Sequence, residues 1–256
     1  MLILLSNDDG VHAKGLKAMY KRLKALGRVV VVAPLEEKST TGHSLTLHKP
    51  LRLIPMEDEK DFYGVSGSPA DCVYLGIREV LKKKPDLVVS GINRGANLGQ
   101  DVYYSGTVSA AREACILGIP AWAVSLCVEY RKRPVESKLN YDAAAKITVE
   151  AIRKLKKCPP PVHTLYNINV PDLPYSKIKG IQVPRQGFQH YSGTILKRRD
   201  HRGRDYFWVG GQYKGFKKEV GTDAFEVNRG YAALSPLQLD STNYSMQEKV
   251  KDALGI

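Results

Sequence analysis

The chain has 256 residues, 43% of them hydrophobic and 25% charged, with 22 glycines and 14 prolines. That is room for one large α/β domain or two small ones; it excludes disorder and a fibrous repeat, and no apolar run approaches the ~20 residues of a membrane-spanning helix. Basic residues outnumber acidic ones 39 to 26, a formal +13, which attracts anions such as phosphates, nucleotides, polyphosphate or nucleic acid without choosing among them.

Leu2 to Leu5 reads as a buried strand, a short apolar run stopped by polar residues and Gly10. With Asp8 and Asp9 so close behind it and no basic lead, it does not read as a secretory leader, and a cytoplasmic protein is expected. Leu16, Met19, Leu23 and Leu26 recur at helical spacing, Gly27 closes that helix, and Val29 to Ala33 is a second strand ended by Pro34. Such a βαβ unit belongs to a parallel sheet covered on both faces. Ser68, Pro69 and Asp71 spell a helix start, with Asp71 as the reciprocal acid, and that helix runs to about Lys83. Strands at Asp86 to Ser90, Ala121 to Leu126 and Tyr166 to Val170 alternate with helices at Ser105 to Leu117 and Tyr141 to Lys156.

The expected fold is therefore α/β, a Rossmann-like three-layer core with a mostly parallel sheet over about residues 1–175 of a single domain, 1–256. Beyond Pro174, the segments Ile178 to Val183, Thr194 to Lys197, Tyr206 to Val209 and Tyr231 to Leu234 look extended. Lys197, Arg198, Arg199, Arg202 and Arg204 make this region basic, and it reads as a solvated hairpin or an oligomerisation arm. The four cysteines, Cys72, Cys115, Cys127 and Cys158, form no C-x-x-C pair and are expected to be buried thiols.

The sharpest chemical feature is Ser6-Asn7-Asp8-Asp9-Gly10, at the carboxyl end of the first strand, where ligands bind in open α/β sheets. Two adjacent carboxylates repel, and a hard divalent cation with oxygen ligands would hold them. The plain alternative is that one of them caps the helix starting near Ala13. Polar loops after the next strands, Pro34 to Gly42 and Gly91 to Gly99, converge on the same edge. Ser105-Gly106-Thr107, at a helix start, offers hydroxyls and unpaired N–H groups as a phosphate cradle, or else an ordinary N-cap. No G-x-x-x-x-G-K-[ST] is present, so the chain is not a P-loop NTPase.

Leu5 to Val11, Gly67 to Val73, Val89 to Asn97 and Tyr104 to Val108, followed by Asn167 to Pro171 and Gly221 to Asp223, resemble the signatures of the SurE family, the stationary-phase survival proteins. The resemblance covers nearly the whole chain. It implies a divalent-metal-dependent phosphomonoesterase acting on nucleoside 5′-monophosphates, and in some members on 3′-monophosphates and short polyphosphate. It implies one divalent cation per subunit, Mg²⁺ or Mn²⁺, held by Asp8, Asp9, Ser39 and Asn93, with Asp8 and Asp9 catalytic. Phosphate would meet Ser105, Gly106 and Thr107, with Asn97 as an added donor. The resemblance also implies homodimers, some paired into tetramers, built through C-terminal elements from about Tyr231 to Ile256.

Three other functions compete. Haloacid-dehalogenase-type phosphatases also place an Asp after the first strand, but they use D-x-D, whereas these acids are contiguous. A receiver module needs a phospho-accepting Asp where this chain has Asn93. A nucleic-acid binder would stack bases on Tyr191, Tyr206, Phe207 and Trp208, side chains that otherwise fill the apolar face of a hairpin. His12 offers a general acid beside the acidic pair, or merely a solvent-facing residue at a helix start.

Overall fold

Alternation of apolar side chains dictates the core. In a computed structural model, which describes residues 1–57, 59–128 and 135–256, β1 (Leu2–Ser6) turns Ile3 and Leu5 to one face of a sheet and Leu4 to the other. β2 (Arg28–Pro34) does the same with Val29 and Val31 against Val30 and Val32. Both faces are apolar because both are covered. α1 (Lys14–Leu23) lies on the first face, and a short antiparallel pair follows, β3 (Leu53–Pro55) with β4 (Phe62–Val65).

α2 (Pro69–Leu75) covers the second face and runs on as a wider π-helical turn, Gly76–Leu81. Its start is the capping box expected from the sequence: the Asp71 N–H donates to Ser68 Oγ at 3.1 Å, and the Ser68 N–H donates to Asp71 Oδ2 at 2.8 Å. β5 (Leu87–Arg94), α3 (Gly106–Ile116), β6 (Ala121–Cys127), α4 (Tyr141–Leu155) and β7 (Thr164–Pro171) repeat the unit, with α3 on the α2 side and α4 on the α1 side.

The remainder holds β8 (Ile181–Gln182), β9 (Gln189–Tyr191), β10 (Ile195–Arg199), β11 (Asp205–Val209), β12 (Tyr213–Phe216), α5 (Asp223–Asn228), β13 (Ala232–Gln238) and α6 (Tyr244–Leu254). The main sheet has nine strands in the order β3-β4-β2-β1-β5-β6-β7-β13-β8, parallel from β4 to β7. From β1 the chain first builds towards β4, then crosses to β5 and builds the other way. The switch point between β1 and β5 opens the crevice in which such sheets bind ligands.

Several boundaries differ from the sequence reading. The first helix stops at Leu23, before Leu26 and Gly27. β5 runs on through Gly91 to Arg94, with an irregular register against β6 between Ser90 and Asn93, so Asn93 ends a strand instead of lying in a loop. Only Ile181–Gln182 of the expected Ile178 to Val183 strand forms. β13 pairs antiparallel with β7 and is buried over Ala232 to Ser235, so the sheet recruits residues well past 175. The β10–β11 hairpin pairs apart from the main sheet, and every residue of its two strands is exposed, Phe207 and Trp208 included. Cys72 and Cys115 are buried, but Cys158 is exposed, because it falls in the turn after α4 beside Lys157 and Pro159.

Gly15 sets how closely α1 approaches the switch point. A Cβ there would stand 2.1 Å from the Ile92 carbonyl oxygen on β5. Gly15→Ala is expected to destabilise the protein by about 1–3 kcal/mol through overpacking, seen as a lower denaturation midpoint; an unchanged midpoint would mean that α1 can slide off β5 freely.

Candidate active site

The chain leaving β1 carries Asp8 and Asp9 straight into the switch-point crevice. Neither acid caps α1, whose first turn follows Ala13 without any side-chain cap, so the plain helix-cap alternative falls away. Asp8 is only 4% exposed. Its Oδ1 accepts the hydroxyl of Thr107, in the first turn of α3. A Cβ on Gly106 would lie 2.7 Å from the Asp8 Cβ, so only glycine lets α3 start this close to the carboxylate. Ser105 is the N-cap, its Oγ accepting the Val108 N–H at 3.0 Å.

Two further segments converge on the pair. The Lys38 N–H donates to the Asp8 carbonyl at 2.8 Å, which brings in the loop carrying Ser39. Ser39 is exposed and its hydroxyl donates to Glu37 Oε1 at 2.6 Å, a bond that leaves the oxygen's lone pairs for an electrophile. On the other side, the Arg94 N–H donates to Asp9 Oδ2 at 3.0 Å, next to Asn93. Asn93 spends its amide nitrogen on the Gly95 carbonyl at 3.0 Å, which fixes Oδ1 as its accepting end. Asp8, Asp9, Asn93, Thr107 and the Ser39 loop thus meet at one edge.

Asn97 is placed otherwise. It is buried, and its Nδ2 donates to Ser125 Oγ at 2.8 Å. Its backbone is gripped by Asn167 and Asn169: the Asn97 N–H donates to Asn169 Oδ1 at 2.8 Å, and its carbonyl accepts from the Nδ2 of both, at 2.9 and 3.0 Å. The side chain is committed to the interior, so Asn97 braces the loop after β5. His12 is exposed in the turn before α1.

The electrostatics report a site built for positive charge. Burial pushes the Asp8 carboxyl up, despite its bond from Thr107. Burial, then the neighbouring charge of Asp8, pushes Asp9 up to about 7, against the lowering effect of the Arg94 N–H. Glu37 adds repulsion to both. Beneath the acids, Ser6 Oγ, Asn7 Oδ1 and Ser90 Oγ are buried without a hydrogen-bond partner, and Ser6 and Ser90 lie side by side in the β1–β5 register. Repelling carboxylates above orphaned oxygens are what a hard cation and its waters satisfy. Among the described residues no group of three or more His, Cys, Asp or Glu is placed to hold a metal; the side chains gathered at this edge, Asp8, Asp9, Ser39 and Asn93, offer oxygen donors, the kind that suits a hard ion.

Residues 3–193 match the family model described as survival protein SurE. The chain belongs to the SurE family. It is 49% identical over 245 residues to 5′-nucleotidase SurE of Geotalea daltonii, covering 96% of both chains. It is 45% identical over 253 residues to 5′-nucleotidase SurE of Moorella thermoacetica, covering 98% of this chain and 95% of the relative. The crystal structure of the SurE protein from Aquifex aeolicus superposes with a TM-score of 0.84 at 43% identity, covering 99% of each chain. The SurE relationship therefore extends through the C-terminal elements, β13 and α6 included.

Sequence reasoning did not single out Glu37, Ser90 or the Arg94 N–H as parts of this candidate site. The only available signal was position, since each sits within three residues of a residue it did single out. The bracing asparagines were visible as Asn167-Ile168-Asn169, but their partner lies about seventy residues away.

In the cation-free protein the Asp9 carboxyl titrates near 7 when folded, against an ordinary value of 3.8. A raised carboxyl costs the folded state nothing below its ordinary 3.8, a growing amount up to about 7 and a constant amount above that, and below 7 an arriving cation must also displace the proton that Asp9 still holds. Saturating Mn²⁺ should therefore raise the melting temperature more at pH 8 than at pH 6; equal shifts at both would remove the acid pair from the cation site.

Proposed function

We propose that this chain is a divalent-metal-dependent 5′-nucleotidase, hydrolysing nucleoside 5′-monophosphates to nucleoside and phosphate, with 3′-monophosphates and short polyphosphate as further substrates. The observation that carries the reading is the buried, mutually repelling pair Asp8 and Asp9 facing the first turn of α3 at the switch point. Its support from outside the chain is that the SurE relatives above bear the name 5′-nucleotidase.

Asp8, Asp9, Ser39 and Asn93 would hold one Mg²⁺ or Mn²⁺. Such an ion supplies neutralisation of phosphate charge and makes a water a stronger nucleophile. The chain's own residues do the placing. Asp8 Oδ1 is held by Thr107, which leaves Oδ2 to orient the attacking water in line with the leaving sugar oxygen. Asp9, fixed by the Arg94 N–H, keeps the second negative charge beside it. Ser105 shapes the turn as its cap, Gly106 admits the close approach, and the N–H groups opening α3 face the phosphate oxygens with the positive end of the helix dipole. Asn97 acts through the loop that it braces.

The enzyme works in this reading as a cytoplasmic homodimer, with the tetramer as a pair of dimers; among the described residues no helix is long and apolar enough to cross a membrane. Exposed apolar side chains on both faces of the hairpin, Leu196 beside Trp208 on one and Ile195 beside Val209 on the other, support assembly, because apolar surface of this kind marks an interface. Trp208→Glu should shift sedimentation towards the smaller species; an unchanged distribution would take the hairpin out of the interface.

Asp9→Asn separates charge from shape, since the amide oxygen can still accept the Arg94 N–H. It should lower kcat/KM on nucleoside 5′-monophosphates by at least about 10²-fold, as expected when a preorganised electrostatic group is lost. The same change should raise the melting temperature of the cation-free protein at pH 8, because the repulsion is gone. Activity at the wild-type level in thoroughly chelated protein would overturn the metal-dependent reading.

A further inference from the structure

The loop that carries Ser39 is pinned at both ends, and the second pin contains a part-buried histidine–carboxylate hydrogen bond outside the site described above. Upstream, Lys38 is tied to Asp8. Downstream, the Gly42 N–H donates to the Tyr104 carbonyl at 3.1 Å, the Ser44 carbonyl accepts Ser68 Oγ at 2.6 Å, and Thr46 donates from its N–H and Oγ1 to Asp71 at 2.9 and 2.6 Å. Between Gly42 and Ser44, His43 Nε2 meets Glu113 Oε2 at 2.9 Å. Ser39, Thr40 and Thr41 bridge the two pins, with Thr40 in the left-handed region at φ 57°.

Glu113 is 5% exposed, on α3, between Ala110 and Ala114. A carboxylate there has no water to turn to, and removing its partner leaves it stranded. α3 is also the helix whose first turn holds Asp8 through Thr107. Six residues at 1.5 Å of rise put Glu113 about 9 Å along the same rigid rod from Thr107. One end of α3 thus fixes Asp8, and a point further along it fixes the loop bearing Ser39. We propose that His43 is a positioning residue for the cation site: seated on Glu113, it sets the distance between Ser39 and the acid pair. The other downstream contacts also serve the fold, since Asp71 and Ser68 build the α2 cap. The His43–Glu113 contact joins only the loop and α3.

This inference rests on the assignment of Ser39 as a ligand in the proposed function. It is tested by titrating Mn²⁺ alone into full-length protein by calorimetry, alongside steady-state kinetics on a nucleoside 5′-monophosphate. His43→Ala should weaken Mn²⁺ binding about tenfold, as losing the support of a metal ligand does, with kcat at saturating Mn²⁺ little changed. His43→Gln, whose amide can still donate to Glu113, should bind as the wild type does. In a Ser39→Ala background, His43→Ala should add no further loss. If the stranded charge prevents His43→Ala from folding, adding Glu113→Gln removes that charge, and the same weakening should be read there.

A lower melting temperature with wild-type Mn²⁺ affinity would overturn the inference, and so would losses from Ser39→Ala and His43→Ala that multiply. The two failures are separable. Weak binding in Ser39→Ala with normal binding in His43→Ala sinks only the role of His43, whereas normal binding in Ser39→Ala sinks the ligand assignment and this inference with it.

Discussion

Two adjacent carboxyl groups, desolvated where the first strand ends, are the constraint around which the rest of this site is arranged. Burial raises the cost of ionising each, and the charge of Asp8 adds to it at Asp9, which is pushed up to about 7. A fold has no structural reason to pay for such a pair, since an apolar or singly charged residue at either position would pack with less penalty. In the reading proposed above the pair is stored affinity: the repulsion would disappear when a doubly charged ion arrives, and its release would add to binding. The uncapped start of α1 fits the same view, because it withholds from the acids the one local role they had open to them.

Holding that pair takes rigid neighbours on both sides. On one side is α3, packed tightly because Gly106 has no side chain and Thr107 donates to Asp8. On the other is the end of β5, where the register irregularity after Ser90 re-aims Asn93 and Arg94 towards Asp9. The loop beyond is braced by Asn97, Asn167 and Asn169, which exchange hydrogen bonds across the ends of neighbouring strands. Amides are suited to this work, for each can donate and accept at once without bringing charge near a site whose function is to manage charge.

What could be read from the residues was what depends on neighbours in the chain. The parallel strands announced themselves as apolar runs, the Ser68–Asp71 cap as a fixed three-residue spacing, and Asp8 with Asp9 as an acid pair at the end of a strand. The misreadings were of long-range contacts. Gly91 and Asn93 look like turn residues until β6 is seen to pair beside them, and Ala232 to Ser235 looks like part of an arm until β7 claims it. β3 and β4 were not foreseen, since Pro55 and Gly64 interrupt their patterns. Glu37 is invisible as a site residue until Ser39 is found bonded to it, and His43 until Glu113, seventy residues away, is found beneath it.

Site and assembly surfaces are drawn from different stretches of the chain. Ser6 to Asp9, Glu37 to Thr46, Ser90 to Asn97 and the α3 helix all lie before residue 117, around the centre of the sheet. The most exposed elements, the β10–β11 hairpin and an α6 without a single buried residue, come after residue 194. A helix of eleven residues with no buried face is marginal by itself, and a hairpin exposed on both sides is no better. In the homodimer proposed above, each would gain a second surface to pack against.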